Sequence, residues 1–378
     1  MTERPAPIPT PPAGPAKPAK PAKPARRKAW TYIREEAPGL SDLLAGGARR
    51  KRFWKWWLWD SLDDAGDLAV HFGLKLLPMD AASDLGAWLS RRAMRRNPRK
   101  VRIMRANLRR IRPDLDDAAR EEIVRRNIDA QGRVLTEFSH INGLSEGPDR
   151  LMVHGLAEAM AEAEGRPVIM LGMHIGNWEV GSVAVAPYRK AFTVNVPPPR
   201  RARAWIAERV RTKARMGLVP PGRQGAREAL RLLRQSQGVV FFCDEAFRNE
   251  IRGPFFDRPL HLEGNFAVVA RLARATNARI CPWYLRRRDD GFRFDFRILP
   301  SFDLPPETVR GDRLIEDVAL LNSVIEPVIK ANLDQWYFLD NHLPGAPGKR
   351  KRGKGVVRGA GKGGHAAPPR RGEQAAET

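Results

Sequence analysis

Val168-Ile169-Met170-Leu171-Gly172-Met173-His174-Ile175-Gly176-Asn177-Trp178-Glu179 is an apolar run that delivers a histidine and, five residues later, a glutamate. The apolar residues between Pro167 and Gly172 read as a buried strand, and Gly176-Asn177 reads as a turn that opens a helix. His174 therefore stands at a strand's carboxyl end, where open α/β sheets place their sites. An irregular turn lets Glu179, in the first turn of the new helix, fold back and accept a hydrogen bond from the imidazole. A carboxylate there fixes the tautomer and stabilises the imidazolium, which makes the other ring nitrogen a usable base near neutral pH. A histidine beside a core strand is more often structural than catalytic, and His-x4-Glu alone does not separate the two.

Outward from this stretch the pattern alternates. A helix is expected over 156–164, a strand over 167–172, a helix over 177–186 and a strand over 192–195. Helices over 201–216 and 225–236, a strand over 239–243, a helix over 265–276 and a strand over 278–285 follow. Such alternation argues for an α/β fold, a mostly parallel sheet flanked by helices. Phe292 to Leu299 alternates apolar with polar residues and reads as an exposed edge strand. A last helix is expected over about 312–331.

Two more groups of residues carry chemical potential. Phe241-Phe242-Cys243-Asp244-Glu245 sets two carboxylates after a strand, at the sheet end that also holds His174. Asp244 is there either a cap or a site residue. Arg200, Arg201, Arg203, Arg209, Arg211 and Arg215 follow the Pro197-Pro198-Pro199 turn. A guanidinium binds phosphate bidentately or stabilises an oxyanion, although most of these arginines must be solvated surface.

The amino-terminal part is helical. Phe53-Trp54-Lys55-Trp56-Trp57-Leu58-Trp59 opens a stretch running to Pro78 and holds four of the ten tryptophans. As a helix it places Trp54, Leu58, Leu62, Ala65, Ala69, Phe72 and Leu76 on one face, and Asp60, Asp64, Asp67, His71 and Lys75 on the other. Charges recur too often for a membrane span, which needs about twenty mostly apolar residues. A helix lying in the membrane surface, tryptophans at the headgroups, is one reading. A surface helix packed on the protein's own core is the other. Residues 80–112 continue helical with a dense arginine face that suits anionic lipid or, by charge alone, nucleic acid.

The ends differ from the rest. Residues 1–28 form a Pro/Ala/Lys tract with 7 Lys/Arg against 1 acid, and residues 344–378 are Gly-rich and basic with 9 against 2. Neither can bury enough surface to fold. They supply +13 of the net +24, so about +11 stays on the folded part and calls for a negatively charged partner. Cys243 and Cys281 cannot make a disulfide framework and point to a reducing compartment. The first 28 residues have no apolar core of the kind a signal peptide needs. The seven histidines show no zinc spacing, so no metal and no cofactor is expected. Gly359-Ala360-Gly361-Lys362-Gly363 matches a dinucleotide fingerprint by letters but has no strand–helix context. There is no Gly-x-Ser-x-Gly of a nucleophile elbow.

His174-Ile-Gly-Asn-Trp-Glu179 after a strand resembles the acyltransferase motif of the lysophospholipid acyltransferase superfamily, and most closely that of the late acyltransferases of lipid A biosynthesis. Leu76-Leu77-Pro78, Asn107-Leu108, Pro113-Asp114-Leu115, Gly132-Arg133, Glu137, Gly253-Pro254-Phe255-Phe256 and Gln335-Trp336-Tyr337-Phe338 agree with it in order and spacing. The similarity runs from about residue 53 to about 343. It implies an acyltransferase core over 150–343 after a membrane-associated helical segment over 29–149. His174 and Glu179 become catalytic, Asn177, Arg211 and Asp244 bind substrate, and Arg211 or Arg209 fits the family's second functional element. Asp244 aligns with the family's Pro-Asp-Gln type sequence, from which Cys243 and Glu245 depart.

The resemblance further implies an acyl carrier protein or acyl-coenzyme A donor, a lipid acceptor and an anionic membrane surface as partners. The expected place is the cytoplasmic face of the bacterial inner membrane, peripheral or monotopic, with no nucleic acid. The acceptor is a lipid A precursor, or else a lysophospholipid or amino-lipid. A rival of another class is a non-catalytic peripheral membrane or nucleic-acid binding protein, in which His174 and Glu179 are structural.

Overall fold

The computed structural model describes residues 36–146, 149–247, 249–288 and 291–344; the basic tails expected at either end lie outside the described residues, Pro344 excepted. The first part is helical: α1 (Leu40–Leu44), α2 (Gly47–Trp54), a π-helical turn Lys55–Trp59, α3 (Asp60–Leu74), α4 (Met79–Arg95), α5 (Pro98–Ile111) and α6 (Asp117–Glu137). The helical stretch expected over 80–112 is two helices, because Asn97-Pro98 restarts the chain with proline at the first helical position, where its missing N–H costs nothing. Asp116 opens α6, accepting from the Ala119 N–H at 2.7 Å. Helices α4 and α6 cross in direct backbone contact. A Cβ on Gly132 would lie 2.2 Å from the Gly86 carbonyl oxygen, and one on Gly86 2.5 Å from that of Gly132.

The second part winds strands and helices in turn: β1 (Leu151–His154), α7 (Leu156–Glu162), β2 (Val168–Gly172), α8 (Gly181–Val185), β3 (Ala191–Val194), α9 (Arg201–Lys213) and β4 (Gly217–Val219). Then come α10 (Gly222–Arg234), β5 (Gly238–Phe242), the small hairpin β6 (Ala246–Phe247) and β7 (Glu250–Ile251), and α11 (Asn265–Thr276). β8 (Arg279–Arg287), β9 (Phe294–Ile298) and α12 (Leu314–Ala331) complete it. Seven strands form one sheet in the order β1-β9-β8-β2-β5-β3-β4, parallel throughout except where β9 meets β8. Both faces are covered, so every residue of the central strand β2 is buried. Ile169 and Leu171 join the core under α10, α11 and α12, while Val168 and Met170 join the one under α7, α8 and α9.

Three expectations need correction. Phe292–Leu299 is not an edge: β9 lies between β1 and β8, with Phe294 and Phe296 fully buried. Alternation reports a strand covered unequally on its two faces and is silent on its hydrogen-bonded neighbours. The edges are β1 and β4, neither of them anticipated. The helix expected to reach residue 216 stops at Lys213, Arg215 takes φ +60°, and Gly217–Val219 pair with β3. The helix expected over 177–186 is a single 3-10 turn, Trp178–Val180, followed by the five residues of α8.

The tryptophan-rich segment packs on the protein through Leu68, His71 and Leu74, not through the face whose period is most apolar. Its apolar face is the outer one: Trp54, Leu58, Leu62, Phe72 and Leu76 are all exposed, Leu76 at 86%. The acidic face turns inward onto α9. Asp64 accepts from Arg201 Nε at 2.7 Å and from the Ala202 N–H at 3.0 Å, which neutralises the start of that helix. Asp67 is held by Arg203 and Arg200, and the Arg201 guanidinium lies 4.6 Å over the Trp56 ring. Among the described residues no helix is long and apolar enough to cross a membrane.

Candidate active site

The turn after β2 is built by its own residues. Gly176 takes φ +60°, and a Cβ there would sit 2.4 Å from the Leu285 carbonyl oxygen, so the position admits only glycine. The turn is stitched to the carboxyl-terminal segment: the Gly176 N–H donates to Gln335 O at 3.1 Å, and the Tyr337 N–H donates to His174 O at 2.9 Å. His174 is thus held from both sides, with Trp178, Phe242 and Phe338 rings at 4.8, 4.3 and 5.0 Å from its imidazole.

The carboxylate on His174 is Asp244. Gly172 of β2 is paired with Phe242 of β5, so the residues two beyond each, His174 and Asp244, emerge side by side. Nδ1 faces Asp244 Oδ1 at 2.8 Å, and the His174 backbone N–H donates to Oδ2 at 2.8 Å. Trp336 Nε1 donates to the same Oδ2 at 2.9 Å, and Asp244 is wholly shut off from solvent. An acceptor-only carboxylate beside Nδ1 puts the ring hydrogen there. Nε2 is then left as the basic nitrogen, on a side chain that lines a cavity of about 220 Å³.

Glu179, expected to hold the imidazole, is engaged elsewhere. Its carboxylate meets Arg211 of α9 in a two-pronged pair at 2.5 and 3.0 Å, and Arg211 Nη1 donates to Asn195 Oδ1 at 2.6 Å. Burial works against the Arg211 charge, but the carboxylate of Glu179 outweighs it and raises the guanidinium above its ordinary value. Both residues line the same cavity as His174. Three N–H groups of Arg211 are spent in these bonds, so two of the guanidinium's five remain. Of the two candidate arginines, Arg209 lies exposed with its guanidinium 5.2 Å over the Trp205 ring. The rest of the cavity is mainly apolar: Val185, Val194, Val196, Met216, Val240, Phe242 and Trp283.

Asn177 and Asp244, expected to meet substrate, stand behind the cavity wall. Asn177 is fully buried and donates from Nδ2 to Glu137 Oε2 at 3.0 Å. Glu137, itself without exposure, pairs with Arg287 at 2.5 Å and accepts from Ser83 Oγ at 2.5 Å. This buried group ties α4, α6 and β8 to the turn that carries His174. Its members Arg287 and Ser83 carried no signal in the sequence, since they lie 150 and 54 residues from Glu137. Trp336 and Glu137 belong to stretches that the resemblance had marked without giving them a role.

Comparison with known proteins shows the family. The profile of the family described as bacterial lipid A biosynthesis acyltransferase matches residues 62–343. A lipid A biosynthesis lauroyltransferase of Escherichia coli K12 is 22% identical over 305 residues, covering 78% of this chain and 93% of that protein. A lipid A biosynthesis acyltransferase of Haemophilus influenzae is 20% identical over 311 residues, covering 79% and 93%. The chain belongs to the bacterial lipid A biosynthesis acyltransferase family and is an acyltransferase.

Proposed function

We propose that the protein moves a fatty acyl group from an acyl thioester, carried by acyl carrier protein or coenzyme A, to a hydroxyl of a lipid A precursor. The observation that carries the reading is the His174 side chain, with Nδ1 committed to buried Asp244 and Nε2 left for a substrate in a largely apolar cavity. Nε2 takes the proton of the acceptor hydroxyl as its oxygen attacks the thioester carbonyl. The tetrahedral oxyanion forms beside Arg211, whose remaining N–H groups stabilise it. As the carbon–sulfur bond breaks, the imidazolium returns the proton to the leaving thiolate. Glu179 keeps Arg211 charged and aimed. The apolar wall accommodates the acyl chain, and a thioester held against a positioned hydroxyl needs no covalent acyl-enzyme.

The outward apolar face of α3 supports attachment to a membrane surface, with the tryptophans at headgroup level; the side proposed is the cytoplasmic face of the bacterial inner membrane. The basic surface suits an acidic carrier protein and an anionic lipid. The test is transfer of labelled acyl groups from both donors into total bacterial lipid, with separation of the products. His174→Ala is expected to lose about 10²–10⁴-fold, the usual worth of general-base catalysis. Label that migrates with a lipid A precursor names the acceptor. A His174→Ala protein, equally folded, within about threefold of wild type would falsify the assignment.

A further inference from the structure

Helix α5 presents a row of arginines, and they are not equivalent. Arg105 is neutralised by Glu121, its Nε and Nη2 2.6 and 2.8 Å from the two carboxylate oxygens. Arg99, Arg102 and Arg110 have no carboxylate partner among the described residues, although Arg110 Nη1 donates to Pro344 O at 2.7 Å, and with His342 these exposed side chains line a second, open cavity of about 380 Å³. Its remaining wall is Ile103, Ala106, Asn107 and Leu343. The cavity is held open by the fold, because buried Asn107 donates from Nδ2 to both Leu339 O and Asn341 O at 2.8 and 2.7 Å. Lys100 Nζ clamps the same segment through Asp340 at 2.5 Å.

Positive charge is in excess here, with Asp340 and Glu250 as the acids nearby. Arg258 is pushed below its ordinary value by burial and then by the charge of Arg110. The acid acting on it, Glu250, also faces Arg252 at 3.6 Å. Like charges that crowd a concavity while lacking carboxylates are arranged for an anion. Forked guanidinium groups match the oxygens of phosphate in particular. The place is also informative. His342 is four residues beyond Phe338, whose ring stands 5.0 Å from that of His174, so the Cα atoms of Phe338 and His342 are at most about 14 Å apart.

We propose that Arg99, Arg102, Arg110 and His342 form a binding site for a phosphate group carried on a lipid, and that this phosphate is the acceptor's own. The second half rests on the acyl-transfer reading; the first does not. Two sources share the chemistry, the phosphate of the acceptor and that of bulk anionic phospholipid, and two arms separate them. In the first, binding of short-chain, water-soluble phosphatidate to the full chain is measured by calorimetry for wild type, Arg99→Gln/Arg102→Gln and, as a control on the same helix, Arg105→Gln. The double variant should bind about tenfold or more weakly, the loss of charge-assisted bonds, and Arg105→Gln should stay within about twofold. Equal binding by wild type and double variant overturns the site.

In the second arm, transfer is assayed with a phosphorylated lipid acceptor and with the same acceptor after phosphatase treatment. An acceptor site predicts that the double variant raises KM about tenfold for the phosphorylated acceptor alone, with kcat kept. An equal effect on both acceptors assigns the site to bulk phospholipid and overturns the acceptor half. If no protein transfers acyl groups, the acyl-transfer reading fails while the phosphatidate comparison still decides the site.

Discussion

Asp244 holds three donors at once, and that arrangement sets what substitution does. Its Oδ2 takes the His174 and Trp336 N–H groups. In Asp244→Asn the amide oxygen keeps those two bonds, which turns the amide N–H₂ toward Nδ1. The imidazole must then accept at Nδ1 and carry its hydrogen on Nε2, the wrong tautomer for a base. We expect kcat to fall about 10²–10⁴-fold with little change in KM. Glu179→Gln keeps the shape of the Arg211 contact but not its charge, and should cost on the order of tenfold. If single-turnover rates place Glu179→Gln below Asp244→Asn, the partner of His174 has been misassigned.

Glu245, next to Asp244, titrates unusually. Burial pushes its carboxyl up to about 8, although the Asn265 N–H that donates to it works the other way. Its Oε2 has no partner among the described residues, which suits a protonated acid. A raised folded value means that the native state holds a proton the unfolded chain gives up. Its stabilising contribution is therefore complete below about 4.5, the ordinary value of a glutamate carboxyl, and is lost as pH rises to about 8. Glu245→Gln removes this loss. Thermal melts at pH 5 and 8.5 should show the variant gaining on the order of 4 kcal/mol relative to wild type across that window.

At the scale of elements, the site is a meeting of strand ends braced from behind. The Glu137 and Arg287 pair joins α6 to β8, and through Asn177 it grips the turn between β2 and α8. Glu137→Ala strands an arginine that is only 8% exposed. Removing one partner of a buried pair typically costs about 3–5 kcal/mol, so urea midpoints should drop accordingly and activity should fall with the loosened turn. An unchanged midpoint would mean that water already solvates Arg287.

For the whole molecule, the question is how an α/β core meets lipid. Helix α3 is attached by its acidic face to the arginines of α9, which leaves its apolar side outward. Leu62→Asp/Phe72→Asp changes two exposed residues of that side, and each buried Leu or Phe is worth about 1.5–3 kcal/mol. Wild type should stay on anionic vesicles through a high-salt wash, and the variant should be released. Retention of both would move the membrane contact away from this helix.

The strand Val168–Gly172, the histidine at its end and the alternating helices after it were legible in the sequence, because each rests on a local period of apolar residues or on a glycine that only one backbone conformation admits. The motif around His174 identified the chemistry for the same reason: its residues are contiguous. The partner of His174 was not legible. Glu179 is near in sequence, but the left-handed turn at Gly176 and the anchor at Asn177 carry it to Arg211. Asp244, 70 residues on, arrives only because β5 pairs with β2 in that register. The periodicity of α3 likewise defined two faces without saying which one meets the protein. Pairing between strands and the choice of a buried face depend on distant residues, here Phe242 against Gly172 and Arg201 against Asp64, so only the tertiary structure decided them.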